Sequence, residues 1–455
     1  MVPIVTSEEM RLIDAAAADG SDALIARAGS AVARSAVQFL GGTYGRTVNV
    51  VVGKGNNGAD GRVAGERLRA SGVKVRIFEA DNCPSVLPAA DLVIDAAYGT
   101  GFHGDWQPPD VGGAPVLAVD IPSGVDALTG QTCGQVLLAL VTVTLGALKP
   151  GLLLPPGDGF AGVVEVAEIG LGEAAAAKAR AHLVQASDVA GWLPRRDAAA
   201  HKWRAAVRVV AGSPSMPGAA ALVALGAMRA GAGMVHLSSP GGLLRGVPTE
   251  VVQRQMAAEG WGHELVESTD RFHSLVIGPG LGRSDDVVEQ VRDVALNAQV
   301  PMVIDGDGLF ALAWGKNDAA VLLRKRTAPT VLTPHDGEYA LLTGAKPGVD
   351  RFEAARQLAS ATDCVVLLKG STTVVAEPSG SVLVVRNGDA RLATAGTGDV
   401  LAGIIGALLA AGVPAFHAAA AGAWLHGEAA SCAPAYGMVA SDISDHLPDV
   451  WAGLS

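Results

Sequence analysis

The chain is 455 residues long, too long for one ordinary domain and comfortable for two or three. Hydrophobic residues make up 49% and aromatics only 4%, so there is material for large cores but little for a base-stacking surface. The net charge of −11 and the lack of a Lys/Arg run disfavour a nucleic-acid partner, while small nucleotides stay possible because backbone N–H groups bind phosphate.

The opening MVPIVTSEEM carries acids early and no basic-then-apolar leader, so no signal peptide is expected. Residues 7–40 are predicted helical, with Ser7, Glu8 and Glu9 as an acidic start and Met10, Ile13, Leu24 and Ile25 on apolar faces. Short Val/Ile runs follow at 48–52, 73–78, 92–94, 116–121 and 141–145, separated by Gly-rich turns and helical stretches. Continuous apolar runs alternating with helices predict a parallel sheet covered on both faces. Residues 150–200, rich in Pro, Gly and then Ala up to Arg195-Arg196-Asp197, form a seam, and the boundary is set near residue 187, giving domains 1–187 and 188–455. The second half repeats the α/β theme, with strands expected at 207–211, 234–237, 275–277, 302–304, 331–332 and 365–368 and a hairpin over 373–385 turning at Ser379-Gly380. The apolar stretch 400–413 is shorter than a membrane span and reads as a buried helix. Cys83, Cys133, Cys364 and Cys432 show no metal spacing and read as reduced thiols of a cytoplasmic protein.

Three strand ends in the first half are rich in polar residues and glycine. Strand 48–52 runs into Gly53-Lys54-Gly55-Asn56-Asn57-Gly58-Ala59-Asp60-Gly61, read as a turn before a helix over 62–70. Gly53, Gly55 and Gly58 spell GxGxxG, with Glu79 at the distance of a ribose-binding acid, so a Rossmann dehydrogenase is a rival reading. Against it, two amide side chains crowd the place where pyrophosphate needs bare backbone, and Asp60 repels a diphosphate. Oxygen-rich side chains suit a hard cation or a hydroxylated ligand better. The other ends are Asp95-Ala96-Ala97-Tyr98-Gly99-Thr100-Gly101-Phe102-His103-Gly104-Asp105 and Asp120-Ile121-Pro122-Ser123-Gly124. Ligands bind beyond the carboxyl ends of parallel strands, so Asn57, Asp95, Asp120 and Ser123 are predicted to share one crevice; helix capping is the plain alternative for each Asp.

GKGNNGADG, DAAYGTG, AVDIPSGVDALTG and TVTLGALKPGLLLPPG, preceded by SEEMRLID, resemble the NAD(P)H-hydrate epimerase family. The resemblance implies a Rossmann-like three-layer domain. It implies that Asn56, Asn57, Gly58, Ala59, Asp60 and the loop Gly99, Thr100, Gly101, Phe102, His103, Gly104, Asp105 bind the hydrated nicotinamide nucleotide. It further implies a potassium ion held by Asn57, Asp95 and Ser123, and makes Asp120 a substrate contact and the best candidate acid/base. The family usually writes Gly where this chain has Ala59; if that position needs positive φ, the turn is strained or rebuilt.

In the second half, Ala393-Thr394-Ala395-Gly396-Thr397-Gly398-Asp399 precedes a helix over 400–410. Glycines ahead of a helix bare its free N–H groups, which with the helix dipole form an anion site; Asp399 is then a base or an ordinary cap. Gly278-Pro279-Gly280-Leu281-Gly282, Asp305-Gly306-Asp307, Thr333-Pro334-His335-Asp336-Gly337-Glu338 and Lys369-Gly370-Ser371-Thr372-Thr373 mark further loops, and Lys369 is placed to meet a phosphate. With GSPSMPGAAALVALGAMRAGAGMV, these segments resemble the ribokinase-like fold and, within it, the ADP-dependent NAD(P)HX dehydratases. The resemblance implies that Ala219, Gly282, His335 and Asp399 contact the hydrated nucleotide. It likewise implies that Lys369, Gly370, Ser371, Thr372, Thr373, the stretch Asp389-Ala390-Arg391-Leu392-Ala393-Thr394-Ala395-Gly396-Thr397 and Gly398 contact the adenine nucleotide. It also implies ADP as co-substrate and Mg2+, with Glu338 as a guess for a ligand. HKWRAAV departs from the family by lacking a Gly shortly after His201-Lys202.

The expectation is therefore a two-domain α/β enzyme of NADHX and NADPHX repair, cytoplasmic and homo-oligomeric, with no membrane or nucleic-acid partner. Its front half interconverts the R and S epimers, and its back half dehydrates the S epimer with ADP. Two alternatives stand beside it: a ribokinase-like vitamin or sugar kinase with a Rossmann-like regulatory domain, and a non-enzymatic binding scaffold. Retention of Asn57, Asp95, Asp120 and Ser123 together argues against the scaffold.

Overall fold

The computed structural model describes residues 1–17, 19–102, 104–194, 201–315 and 319–454. His103 of the expected substrate loop and Arg195-Arg196-Asp197 of the seam lie outside the described residues. The chain divides into two compact units, Val2–His182 and Leu183–Ser455, the latter taking Met1.

The first unit opens with β1 (Val2–Ile4) and α1 (Ser7–Ala15). Thr6 caps α1 through a reciprocal box, its hydroxyl accepting from Glu9 N at 3.2 Å and the Glu9 carboxylate accepting from Thr6 N at 2.8 Å. The helix predicted over 7–40 is two, because the chain turns at Gly20 (φ +74°) before α2 (Gly20–Leu40). There follow β2 (Thr47–Val52), α3 (Asn56–Ala70), β3 (Lys74–Glu79), β4 (Leu92–Ala96), β5 (Val116–Val119), β6 (Val141–Leu145), α4 (Gly157–Ala161) and β7 (Val163–Ala167). They form a parallel sheet in the order β3-β2-β4-β5-β6-β7. Val50, Ile94 and Leu117 pack with Val32 of α2 and Leu68 of α3 in one core. Strand β7 falls inside the expected seam; the surrounding Pro and Gly hide its VVEVA alternation.

The turn read over 53–61 is shorter than expected, since α3 begins at Asn56. Gly53 and Gly58 permit this. A Cβ on either lies 1.9 Å from a backbone oxygen, Ala97 O for Gly53 and Gly53 O for Gly58. Ala59 is consequently an ordinary helical residue, and the strain expected there is absent: among the described residues positive φ outside glycine occurs at Asp120 and Asp363.

After α5 (Gly172–Lys178), β8 (Ala181–Leu183) and α6 (Ala186–Trp192), the second unit runs β9 (Ala206–Val210), α7 (Pro217–Arg229), β10 (Met234–Ser238), β11 (Val252–Gln253), α8 (Gly262–Glu267), β12 (Ser274–Ile277), α9 (Asp285–Asn297), β13 (Met302–Ile304), α10 (Asp307–Ala313), α11 (Ala319–Leu323) and β14 (Thr330–Leu332). Then come α12 (Asp336–Thr343), α13 (Arg351–Thr362), β15 (Val365–Leu368), β16 (Thr373–Ala376), β17 (Val382–Val385), α14 (Thr397–Ala410), α15 (Ala415–Cys432) and α16 (Ala440–Gly453). The strands lie in the order β17-β16-β15-β14-β13-β12-β9-β10-β11, and β16 runs antiparallel to both neighbours. Helix α14 is buried along its apolar run and crosses α7 closely. A Cβ on Gly403 lies 2.1 Å from Val223 O, and one on Gly226 lies 2.5 Å from Val400 O. Among the described residues no helix is long and apolar enough to cross a membrane.

Candidate active sites

In the first unit, a cavity of about 560 Å³ opens beyond the carboxyl ends of the strands. Asn56, Asn57 and Asp60 of α3, the loop Gly99, Thr100, Gly101 and Phe102, and Asp120 line it, as the sequence predicts. Gly58, Ala59, Gly104 and Asp105 do not line it. The opposite wall comes from α1 and α2, and includes Asp14, which the sequence reading left out. Tyr98 and Phe102 stack with ring centroids 4.1 Å apart and Trp106 meets Tyr98 edge-on at 5.0 Å, which stiffens the loop.

Beneath this loop Asp95 and Ser123 meet, and Asn57 lies against Gly99, where a Cβ would fall 3.3 Å from the Asn57 side chain. Asp95 Oδ2 accepts from Ser123 N at 2.9 Å and its Oδ1 from Ser123 Oγ at 2.6 Å; Tyr98 N donates to Ser123 Oγ at 2.9 Å. Asp95 is wholly buried, and that burial pushes its carboxyl pKa up against the lowering pull of these donors. The Asn57 amide is buried, with neither Oδ1 nor Nδ2 hydrogen-bonded among the described residues. A buried carboxyl, a buried hydroxyl and an unpartnered amide oxygen are the oxygen donors that a hard cation uses.

Asp120 leaves β5 in a left-handed backbone conformation (φ +67°), a conformation Asp tolerates better than most residues. Its Oδ1 is held by Leu145 N at 3.2 Å and by the ammonium of Lys149. Lys149 is 1% exposed and also donates to Leu145 O at 2.8 Å and Thr144 Oγ1 at 3.1 Å. The sequence reading missed Lys149, although it sits inside a quoted motif, because a lone lysine after a strand has no local signature. Asp60 is buried at 4% exposure, and burial, Asp120 and Asp14 push its pKa up to about 8, against the pull of Lys149.

In the second unit, consecutive parallel strands β9, β12, β13, β14 and β15 deliver their terminal loops to one edge. Lys369, just after β15, pairs with Asp305, just after β13, at 2.7 Å. Asp307 accepts from Gly282 N at 2.9 Å and Arg283 Nε at 2.8 Å. Ala219 of α7 touches the same loop, since a Cβ on Gly280 lies 2.7 Å from the Ala219 Cβ. Gly398 in the first turn of α14 abuts this cluster, as a Cβ there lies 3.3 Å from Lys369 Nζ. Asp399 follows it, and burial and then Asp305 push its pKa up to about 7, with Lys369 opposing. Burial likewise raises Glu338, opposed by Lys369.

The glycine turn before α14 is braced from within. Gly396 has φ +90°, and Thr397 Oγ1 donates to Leu392 O at 2.8 Å and Thr394 O at 2.9 Å. His426 Nε2 lies 2.9 Å from Thr397 O, and burial pushes its pKa down to about 4, so it stays neutral and donates. The side chains of Asp389 and Arg391 pair with each other at 2.6 Å. His335 Nδ1 accepts from Gly337 N at 2.9 Å and Glu338 N at 3.2 Å, capping α12 and leaving its proton on Nε2.

Comparison with known proteins follows the same division. A family described as NAD(P)H-hydrate dehydratase matches residues 207–449, and one described as YjeF-related protein N-terminus matches residues 21–85 and 78–151. The bifunctional NAD(P)H-hydrate repair enzyme Nnr of Moorella thermoacetica is 36% identical, covering 99% of this chain and 97% of its own. The crystal structure of an ADP/ATP-dependent NAD(P)H-hydrate dehydratase from Bacillus subtilis, co-crystallised with ATP and Mg2+, is 33% identical with a TM-score of 0.51, covering 60% of this chain and 98% of that one. A ribokinase-like superfamily protein from Enterococcus faecalis, 21% identical with a TM-score of 0.54 over 61% of this chain and 97% of its own, shares the fold alone. The expected fold class holds, a Rossmann-like parallel sheet followed by a ribokinase-like α/β unit, and the chain belongs to the bifunctional NAD(P)H-hydrate repair enzymes.

Proposed function

We propose that residues 1–187 interconvert the R and S epimers of NADHX and NADPHX, and that residues 188–455 dehydrate the S epimer with ADP, releasing AMP and phosphate. The protein acts in the cytoplasm as a homo-oligomer. The observation that carries the dehydratase reading is Asp399, a half-buried carboxyl on the first turn of α14 near Lys369. Hydroxide is a poor leaving group and phosphate a good one. Asp399 takes the proton of the C6 hydroxyl as that oxygen accepts the phosphoryl group. The N–H groups of Gly396, Thr397 and Gly398 hold the transferring charge, and elimination of phosphate restores the ring. The remaining nucleotide contacts are Gly370, Ser371, Thr372, Thr373 and 389–395, with Ala219, Gly282 and His335 on the hydrated ring. Magnesium accompanies the nucleotide, and we assign Glu338 to it because its carboxyl has a single hydrogen-bond donor, His335 N at 3.0 Å, among the described residues.

In the front half, Asn57, Asp95 and Ser123 hold potassium, which the orphaned Asn57 amide and the buried Asp95 support. When bound, the ion supplies a fixed positive charge at the strand ends. Asn56, Asn57, Asp60, Gly99, Thr100, Gly101 and Phe102 bind the substrate, and Asp120 exchanges the proton of the C6 hydroxyl. The test is incubation with mixed epimers of NADHX and ADP, following NADH absorbance. Both epimers should be consumed, with none consumed when ADP is omitted. Recovery that stops at the S fraction rejects the epimerase reading, and recovery without nucleotide rejects the dehydratase reading.

A further inference from the structure

The front cavity holds one cation and three carboxyls. Lys149 touches Asp120, while Asp60 and Asp14 face the same space. Among the described residues no group hydrogen-bonds the Asp60 side chain, although it is 4% exposed. A buried carboxyl without donors keeps its proton, whereas one anchored by an ammonium and a backbone N–H carries charge. Pairs of acids driven apart in this way divide acid and base roles between them.

We propose that Asp60 is a second catalytic residue of C6 epimerisation, a proton donor working across the cavity from Asp120, and that Lys149 is the positioning residue that assigns the base role to Asp120. The proposal rests on the epimerase reading above. The ionised Asp120 accepts the proton of the C6 hydroxyl. The oxygen becomes a carbonyl as the C6–N1 bond breaks, and the bond's electron pair goes to N1. N1 takes the proton of the Asp60 carboxyl, leaving an open-chain aldehyde. Rotation about C5–C6 presents the other face. N1 then attacks C6, returns its proton to Asp60, and the oxygen recovers a proton from Asp120. Every bond and proton is restored except the configuration at C6, and no further reactant is needed. Burial of Asp60 is what keeps this proton available near neutrality, because Asp120 and Asp14 oppose its loss and only Lys149 favours it.

The experiment uses the full chain and measures epimerisation of S-NADHX against pH without ADP, with dehydration plus ADP as a control on folding. The wild type should lose epimerase activity as pH rises past about 8, when Asp60 gives up its proton. Asp60→Asn should lose that alkaline limb and epimerise about a hundredfold more slowly at pH 7. Lys149→Met should fall by at least about a hundredfold, with Lys149→Arg restoring most of the rate. Should Asp60→Asn not fold, the contrast between Lys149→Met and Lys149→Arg and the wild-type alkaline limb still decide. An Asp60→Asn variant with wild-type rate and limb, or a Lys149→Met variant matching Lys149→Arg, overturns the assignment. If Asp120→Asn is also fully active, the epimerase reading itself fails, which is a separate result.

Discussion

Asp399 combines two effects that mutation separates. Its charge favours the N-terminus of α14, and its carboxyl lies beside Lys369 and Asp305. Losing the helix-end contribution costs about 1 kcal/mol, which a domain of this size survives. Losing the base lowers dehydration by roughly two to four orders of magnitude. Asp399→Ala is thus expected to fold and epimerise while no longer dehydrating, as thermal melting and both activities on one preparation will show. More than about half the wild-type dehydration rate removes Asp399 from the mechanism. Because its pKa is raised to about 7, its base form grows with pH, so wild-type kcat/KM for dehydration should rise through that region. At this scale the sequence is informative where polar residues cluster at strand ends, as at Asn57, Asp95, Asp120 and Ser123. It is silent on Lys149, which reaches Asp120 only because β5 and β6 pair side by side.

The junction of β2 and α3 shows what a motif hides. A glycine string reads as a turn through Gly61, yet the helix starts at Asn56, six residues before the expected Arg62. Gly53 and Gly58 serve close backbone approach, not loop freedom. Ala59→Gly should therefore cost only about 1 kcal/mol, the ordinary price of glycine in a helix. Gly58→Ala drives a Cβ to 1.9 Å from Gly53 O and should cost about 3 kcal/mol or more. Comparing the two melting temperatures checks this; equal losses would mean the tight approach is not what the glycines supply. Strand β7 was illegible for a different reason. It is an edge strand whose VVEVA is broken by Glu165, so it lacks the continuous apolar run by which the buried strands announce themselves.

Each unit closes its own core, Val50, Ile94 and Leu117 in one, Val209, Val276 and Ile404 in the other. The similar Bacillus subtilis dehydratase covers only 60% of this chain yet almost all of its own. Residues 183–455 alone should accordingly fold, dehydrate the S epimer and require a nucleotide, while leaving the R epimer untouched. Consumption of R-NADHX by this fragment, or conversion without nucleotide, contradicts the division. The order of the two units was legible because each half carries its own set of strand-end motifs; their sheet orders were not, since neighbours in a sheet need not be neighbours in sequence. Gly53, Gly55 and Gly58 carry a wider lesson. Two of the three glycines of GxGxxG are set here by packing, Gly53 against the end of β4 at Ala97 and Gly58 against Gly53, while a Cβ on Gly55 meets nothing within 4 Å. A proteome scan keyed to that spacing therefore counts a packing solution, and it will enrol proteins such as this one among dinucleotide-dependent oxidoreductases unless the residues between the glycines are weighed as heavily as the glycines themselves.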